Sequence, residues 1–386
     1  MQLQYRLRTC AAILMVLSVV ACDEKDPTGP DDSDNEMGSV VQVVAGAEHS
    51  CALRSDGRAY CWGRNSSGQL GDGTTTDRAA PVAAATSLTF KALSAGATHT
   101  CGISTTDSRA YCWGDNVHGQ SGGGGGAQIG VPPTLVGDMS FAMISAGQDH
   151  TCGVATNGTA YCWGQAFLGD GPLKVRRPTP VAVSGGPYKA VAAGSNYTCA
   201  LTTAGAAMCW GTNAGGVLGL GSPDQEIILP SVVAGGHTFT NITAGVNHVC
   251  GVASDGTWCW GVNNDGQLGT GSASAFSNIP VRAGGSLAFT QLASGELHTC
   301  GVAAGVTYCW GRNSLGQLGT GDVNARLTAT AVTPALASVS TSGGHACGLT
   351  STRRVYCWGG NAFGAVGTGS TSARVTAPVE VTVPAP

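Results

Sequence analysis

The sequence predicts an all-β protein, a seven-bladed β-propeller, and three observations carry that prediction. The tripeptide Cys-Trp-Gly recurs seven times, at Cys61, Cys112, Cys162, Cys209, Cys259, Cys309 and Cys357, in steps of 47 to 51 residues, a period that fits one four-stranded blade. Glycine fills 60 of 386 positions while charged residues make up only 11%, which suits short strands and tight turns rather than helices rich in Glu, Lys and Leu. A second cysteine precedes each motif by 9 to 11 residues, the length of a β-hairpin.

From the N-terminus, residues 1–21 combine Arg6 and Arg8 with an uncharged run from Thr9 to Ala21, the arrangement of a secretory signal and too short to span a membrane comfortably. The run ends Val19-Val20-Ala21-Cys22, which resembles the lipobox of bacterial lipoproteins and makes Cys22 the expected lipidated residue. Residues 22–39 hold seven acids against the single Lys25, with two prolines and no apolar periodicity, so they are expected to form a solvated acidic tether. From Val40 onward 16 basic residues balance 16 acidic ones. Without a basic stripe to neutralise phosphates, the body is not expected to bind nucleic acid.

Residues 40–386 form the expected propeller, with no room for a second domain. Giving each cysteine three strand residues leaves turns of two to four residues, such as Ser55-Asp56-Gly57 and Thr156-Asn157-Gly158, so the two cysteines of each repeat oppose one another on adjacent antiparallel strands. Opposed residues lie within reach of a disulfide. Seven bridges are therefore expected: Cys51 with Cys61, Cys101 with Cys112, Cys152 with Cys162, Cys199 with Cys209, Cys250 with Cys259, Cys300 with Cys309, and Cys347 with Cys357. Zinc binding, the rival reading, favours cysteines two to four residues apart, a spacing not found here. Sixteen cysteines also point to an oxidising compartment. The same register sets a small residue (Ala52, Gly102, Gly153, Ala200, Gly251, Gly301, Gly348) opposite a large one (Tyr60, Tyr111, Tyr161, Met208, Trp258, Tyr308, Tyr356), complementarity suited to packing between blades.

The repeat Ala-Gly-x-x-His-x-Cys-Gly, then Tyr-Cys-Trp-Gly-x-Asn and Gly-Gln-Leu-Gly, is clearest around Asn65, Asn263 and Asn313. It resembles the regulator of chromosome condensation repeat, and the resemblance covers the whole body. It implies a seven-bladed propeller. Each later repeat is preceded by a Pro-Val strand, such as Pro81-Val82 or Pro280-Val281, whereas Val40 has none and Pro378-Val379 has nothing after it. The expectation is that the N- and C-terminal strands share one blade and so close the ring.

Six of eight histidines, His49, His99, His150, His248, His298 and His345, sit two residues before a first cysteine, with Tyr197 replacing the seventh. A ring of imidazoles could hold a metal, but a residue repeated by the blade template is expected to make the same internal hydrogen bond in each blade. The Asp72-Gly73 and Asp77 segment lacks the oxygen spacing of a calcium loop. Neither metal nor cofactor is expected, and no constellation of unlike catalytic residues points to an enzyme.

Partner recognition is expected where repeats depart from the template: the Gly122 to Ile129 segment of the second, Phe167, Lys174, Arg176 and Arg177 of the third, and Asp224 and Glu226 of the fourth. The reading is an exported, membrane-anchored, monomeric scaffold binding a protein or a cell-surface polymer. Two other roles follow from the resemblance: a secreted enzyme inhibitor, since some secreted members inhibit β-lactamases, and guanine-nucleotide exchange, the activity of the eukaryotic namesake.

Overall fold

The computed structural model describes residues 38–124, 132–165, 167–171 and 174–385. The expected signal peptide, Cys22, nearly all of the acidic tether and residues 125–129 of the glycine-rich insertion lie outside the described residues. Residues 37–386 form one compact unit. Among the described residues, no helix is long and apolar enough to cross a membrane.

The first blade shows how the repeat folds. Its strands are β1 (Val40–Ala45), β2 (His49–Arg54), β3 (Ala59–Gly63) and β4 (Arg78–Ala83), each hydrogen-bonded to the next in an antiparallel meander. The turn between β2 and β3 closes through Gly57, whose φ of 83° is a conformation glycine adopts without steric cost. Cys51 stands directly opposite Cys61 and Ala52 opposite Tyr60. The β1–β2 and β3–β4 connections lie at one end of the sheet, here the loop face; the β2–β3 hairpin and the link to the next blade lie at the other, the hairpin face.

This unit occurs seven times. In the second and third repeats one continuous strand, Thr134–Ala146, pairs through Thr134 to Val136 with the sheet of the second blade and through Phe141 to Ala146 with that of the third. The pairing of small with large residues follows the expected register in every blade. The structure adds its reason: a Cβ on Gly102, Gly153, Gly251 or Gly301 would lie 2.5 to 2.7 Å from the ring of the phenylalanine on the innermost strand of the same blade.

The core lies between blades. Leu53 and Leu70 of the first blade pack with Phe90, Leu93 and Trp113 of the second, and the same grouping recurs around the ring. All seven tryptophans of Cys-Trp-Gly are fully buried, so truncating any one to alanine is expected to cost about 3–5 kcal/mol.

Strand pairing corrects one expectation. The Pro-Val segment is the fourth strand of the blade that precedes it, since Cys61 faces Val82 and Cys357 faces Val379. The N- and C-terminal strands therefore occupy different blades: β1 pairs with β2, and Arg374–Val381 is the outer strand of the seventh blade. The physical reason is the β3–β4 loop, which turns the chain straight back onto the strand it has just left, the shortest connection open to it. The first and seventh blades are joined instead by discrete bonds: Ala45 N to Ser340 Oγ at 3.0 Å, Trp62 Nε1 to Ala365 O at 2.8 Å, and Gly369 N to Ala79 O at 2.8 Å.

Candidate binding face

The template histidines are used between blades. His49 Nε2 lies 2.9 Å from Thr100 Oγ1, His99 Nε2 2.7 Å from Thr151 Oγ1, His150 Nε2 2.8 Å from Thr198 Oγ1, His248 Nε2 2.8 Å from Thr299 Oγ1, and His345 Nε2 2.8 Å from Ser50 Oγ. Each acceptor belongs to the following blade and sits beside its own first cysteine. The Thr100 hydroxyl donates onward to Gln69 O at 2.9 Å, so its oxygen must accept from the imidazole, which fixes the Nε2–H tautomer. Burial holds all six rings neutral, with His49, His248 and His298 pushed down to about 3 and His99, His150 and His345 to about 4. The rings are spaced around the molecule, and among the described residues no three His, Cys, Asp or Glu side chains converge to hold a metal.

Two junctions break the pattern. Val249 in the fifth blade offers no hydroxyl, and there Tyr197 replaces histidine, its longer side chain carrying the OH to Gly245 O at 2.8 Å and His248 O at 2.9 Å. In the seventh blade Ala346 offers no hydroxyl either, but His298 is retained, and its Nε2 has no partner.

The remaining motif residues complete the junction. The carbonyl of Gln69 accepts from Trp113 Nε1 at 2.9 Å, and those of Gln120, Gln267 and Gln317 accept from Trp163, Trp310 and Trp358. The last glycine of Gly-Gln-Leu-Gly lies under that indole: a Cβ on Gly71 would stand 2.8 Å from Trp113 Nε1. Asn65 organises the loop itself. Its Oδ1 accepts from Leu70 N at 3.0 Å while its Nδ2 donates to Asp72 Oδ1, Thr74 O and Thr76 O at 3.0 to 3.1 Å. A side-chain amide thus sits among the oxygens that a calcium loop would turn toward a cation, and Asn213, Asn263, Asn313 and Asn361 do the same elsewhere.

The departures of the third and fourth repeats fall in the β3–β4 loops, on the loop face of adjacent blades, with Arg177 and Glu226 opening the strands that follow those loops. Phe167 occupies the place of the template glutamine and adopts a φ of 66°, a left-handed conformation costly for a bulky side chain. Lys174 lies over its ring, 5.5 Å from the centroid, and pairs with Glu226 of the fourth blade. Arg176 donates to Val117 O in the second blade at 2.6 Å. Val117 and Val175 are exposed beside these bonds, at 48% and 43%. Phe167, Lys174, Arg176 and Glu226 therefore belong to one surface spanning three blades. Arg177 and Asp224 do not join it. Arg177 pairs with Asp170 at 2.9 Å, repeating the Arg78–Asp72 bridge of the first blade, and Asp224 accepts from Asn213 through its carbonyl; both serve loop folding.

The regulator of chromosome condensation (RCC1) repeat pattern matches residues 40–69, 90–120, 144–169, 188–216 and 337–365, and in a second form 56–103 and 254–302, which together span more than half of the chain. The chain belongs to this family. Prp20p from Saccharomyces cerevisiae superposes with a TM-score of 0.74 at 20% identity, covering 92% of this chain and 90% of that one. Human WBSCR16 gives a TM-score of 0.72 at 17% identity over 79% of this chain and 85% of that chain. By sequence, the Arabidopsis thaliana ultraviolet-B receptor UVR8 is 34% identical over 134 residues, 34% of this chain and 30% of the receptor. Human E3 ubiquitin-protein ligase HERC2 is 28% identical over 132 residues, 33% of this chain and 3% of the ligase. The chain thus spans under a third of these two relatives.

Within this RCC1-repeat propeller, Val117 and Val175 escaped sequence reasoning. The signal for Val117 was an apolar residue one place after the template asparagine position, where the clearest repeats carry Ser66, Asn264 and Ser314. Also unanticipated was a cluster on the hairpin face of the fifth blade. There His237 stacks 3.9 Å from Trp258, and Asp255 bonds both His237 Nδ1 at 2.9 Å and Trp258 Nε1 at 3.0 Å.

Proposed function

We propose that this protein is an exported, membrane-anchored scaffold that recognises a protein partner through the loop face of its second, third and fourth blades. The observation that carries the reading is the surface built by Phe167, Val117 and Val175 and bordered by Lys174, Arg176 and Glu226. An apolar centre with a polar, ion-paired rim is the anatomy of a recognition surface, and it sits where the repeat leaves its template. The seven disulfides within blades suit an oxidising compartment, in keeping with a leader ending at a lipidated Cys22. The secreted-inhibitor role is one form of the same reading, with an enzyme as partner.

The test is capture from a cell-envelope extract by the full-length protein and by a Val117→Asp/Val175→Asp variant. A stoichiometric protein retained by the first and lost by the second supports the proposal. Equal retention by both, or turnover by the isolated protein across a hydrolase panel, overturns it. Anchoring has a separate readout: incorporation of labelled palmitate that disappears in Cys22→Ser.

A further inference from the structure

The seven tryptophans of Cys-Trp-Gly are not all satisfied alike. Six indole N–H groups donate, at 2.8 to 2.9 Å, to the carbonyl at the template glutamine position of the preceding blade. Trp210 is as deeply buried as the rest, yet its Nε1 has no partner among the described residues. The loop that should supply one is in place: a Cβ on Gly169 would stand 2.9 Å from Trp210 Nε1, much as one on Gly71 would stand 2.8 Å from Trp113 Nε1. What differs is the orientation of one carbonyl. It belongs to Phe167, whose φ is 66°, whereas none of the other six residues at this position enters the left-handed region. A hydroxyl is lost to it as well. Thr100, Thr151, Thr299 and Ser50 donate to the equivalent carbonyls at 2.8 to 2.9 Å, but among the described residues Thr198 meets only His150 Nε2 and Cys152 Sγ.

One residue therefore carries two penalties, a bulky side chain on a left-handed backbone and a buried donor left without its acceptor. Both trace to a shortened connection: three residues, Gln165 to Phe167, join Gly164 to Leu168, where six join Gly63 to Leu70. What offsets them lies at the surface. The Phe167 ring sits beneath Lys174 Nζ, 5.5 Å from its centroid, and Lys174 is held there by Glu226 of the fourth blade. Rotation of the backbone at Phe167 toward the conformation of the other six blades would relieve both penalties, but it would take the ring from beneath Lys174. Neither arrangement satisfies every group, and an element with two such arrangements is what a switch requires. We propose that Phe167 is a conformational switch of the recognition surface. In one state its ring is presented under Lys174 and Trp210 is unpaired; in the other its carbonyl accepts from Trp210 Nε1 and the ring is withdrawn. A partner that contacts the ring selects the first state, and the population of the second lowers its apparent affinity. That control rests on the loop face being the binding surface, whereas the two states themselves need no partner to be seen.

Fluorine NMR of the full-length protein labelled with 5-fluorotryptophan tests this, with the Trp210 signal assigned by its loss in Trp210→Phe. Trp210 is expected to give two resonances in slow exchange, and each other template tryptophan one. Phe167→Gly, for which a φ of 66° has no steric cost, should shift the ratio about tenfold or more toward the unpaired state. Lys174→Met, which keeps the aliphatic stem and removes the charge paired with Glu226, should shift it about threefold toward the paired state. Lys91→Met, an exposed lysine on the hairpin face, should leave it unaltered. Fast exchange would instead give one Trp210 line that the first two substitutions displace in opposite directions. A single line displaced by neither, or a ratio that all three substitutions alter alike, overturns the switch. Capture from the envelope extract separates the two readings: two Trp210 states with no partner retained refute the binding surface, and a retained partner with one Trp210 state refutes the switch alone.

Discussion

Acidification from pH 7.5 to 5.0 should remove most of the stability of this protein. Six buried histidines have folded values of about 3 (His49, His248, His298) or about 4 (His99, His150, His345) against an ordinary 6.5, chiefly because burial penalises the charged ring. Their folded values are depressed, so the unfolded chain binds more protons between pH 6.5 and 4. The stability they confer is complete above 6.5 and falls as the pH drops through that window. At pH 5.0 each ring has lost about 1.5 pH units of linkage, or about 2 kcal/mol, and the six together about 12 kcal/mol. That rivals the whole stability of an ordinary domain, about 5–15 kcal/mol. Asp149, raised by burial, opposes the trend through a single group. The exposed carboxylates with lowered values, such as Asp322 at about 2, act only at lower pH. The assay is guanidinium unfolding at several pH values between 7.5 and 5.0, followed by tryptophan fluorescence, with proton uptake measured in buffers of different ionisation enthalpy. Uptake of about six protons per molecule near pH 5 is expected. A midpoint that stays constant over this range would show that the rings titrate freely in the folded state, and the buried network would be refuted.

Four further outcomes follow from the junctions. Ala346→Ser should supply the acceptor missing at His298 and raise stability by about 1 kcal/mol, read as a higher denaturation midpoint; no gain would mean that Nε2 is already satisfied. Tyr197→His should cost about 2 kcal/mol, because Val249 offers nothing to accept, and adding Val249→Thr should recover about half, a coupling measurable in a double-mutant cycle. Gly71→Ala should cost about 3 kcal/mol, since its Cβ meets the Trp113 indole at a backbone φ of 68°, combining overpacking with left-handed strain. Reduction should lower the thermal midpoint steeply. Each disulfide closes a loop of about ten residues, worth about 2.7 kcal/mol in chain entropy, and intact mass after alkylation without reductant should show no free thiol in residues 40–386.

Blade number, strand pairing within the repeat and the cysteine partners could be read from the chain because they are local. A hairpin of nine to eleven residues leaves one register in which both cysteines oppose, and seven copies in phase repeat the constraint. The role of Gly102 and its equivalents was half legible. Their opposition to tyrosine followed from register, whereas the phenylalanine ring that excludes a Cβ lies on the innermost strand, on the other side of the glycine's strand from the tyrosine. The shared terminal blade was misread because a Pro-Val strand can pair forward or backward in sequence, and only the fold of the Asn65 loop, with its amide bonded to four surrounding groups, sends it backward.

What the sequence by itself determined about this protein is therefore the propeller, its seven hairpins, their cysteine pairs and the repeats in which the template fails. The tertiary structure alone decided what those features do to one another. Histidine reaches a hydroxyl about 50 residues away, Lys174 and Arg176 tie three blades into one surface, and Phe167 turns its carbonyl away from the Trp210 indole. Periodicity records what each blade needs for itself, because those contacts recur at fixed short separations. Contacts between blades depend on which repeat follows which, and a single exchange, such as Ala346 for threonine, changes the neighbour's chemistry without disturbing the repeat that carries it.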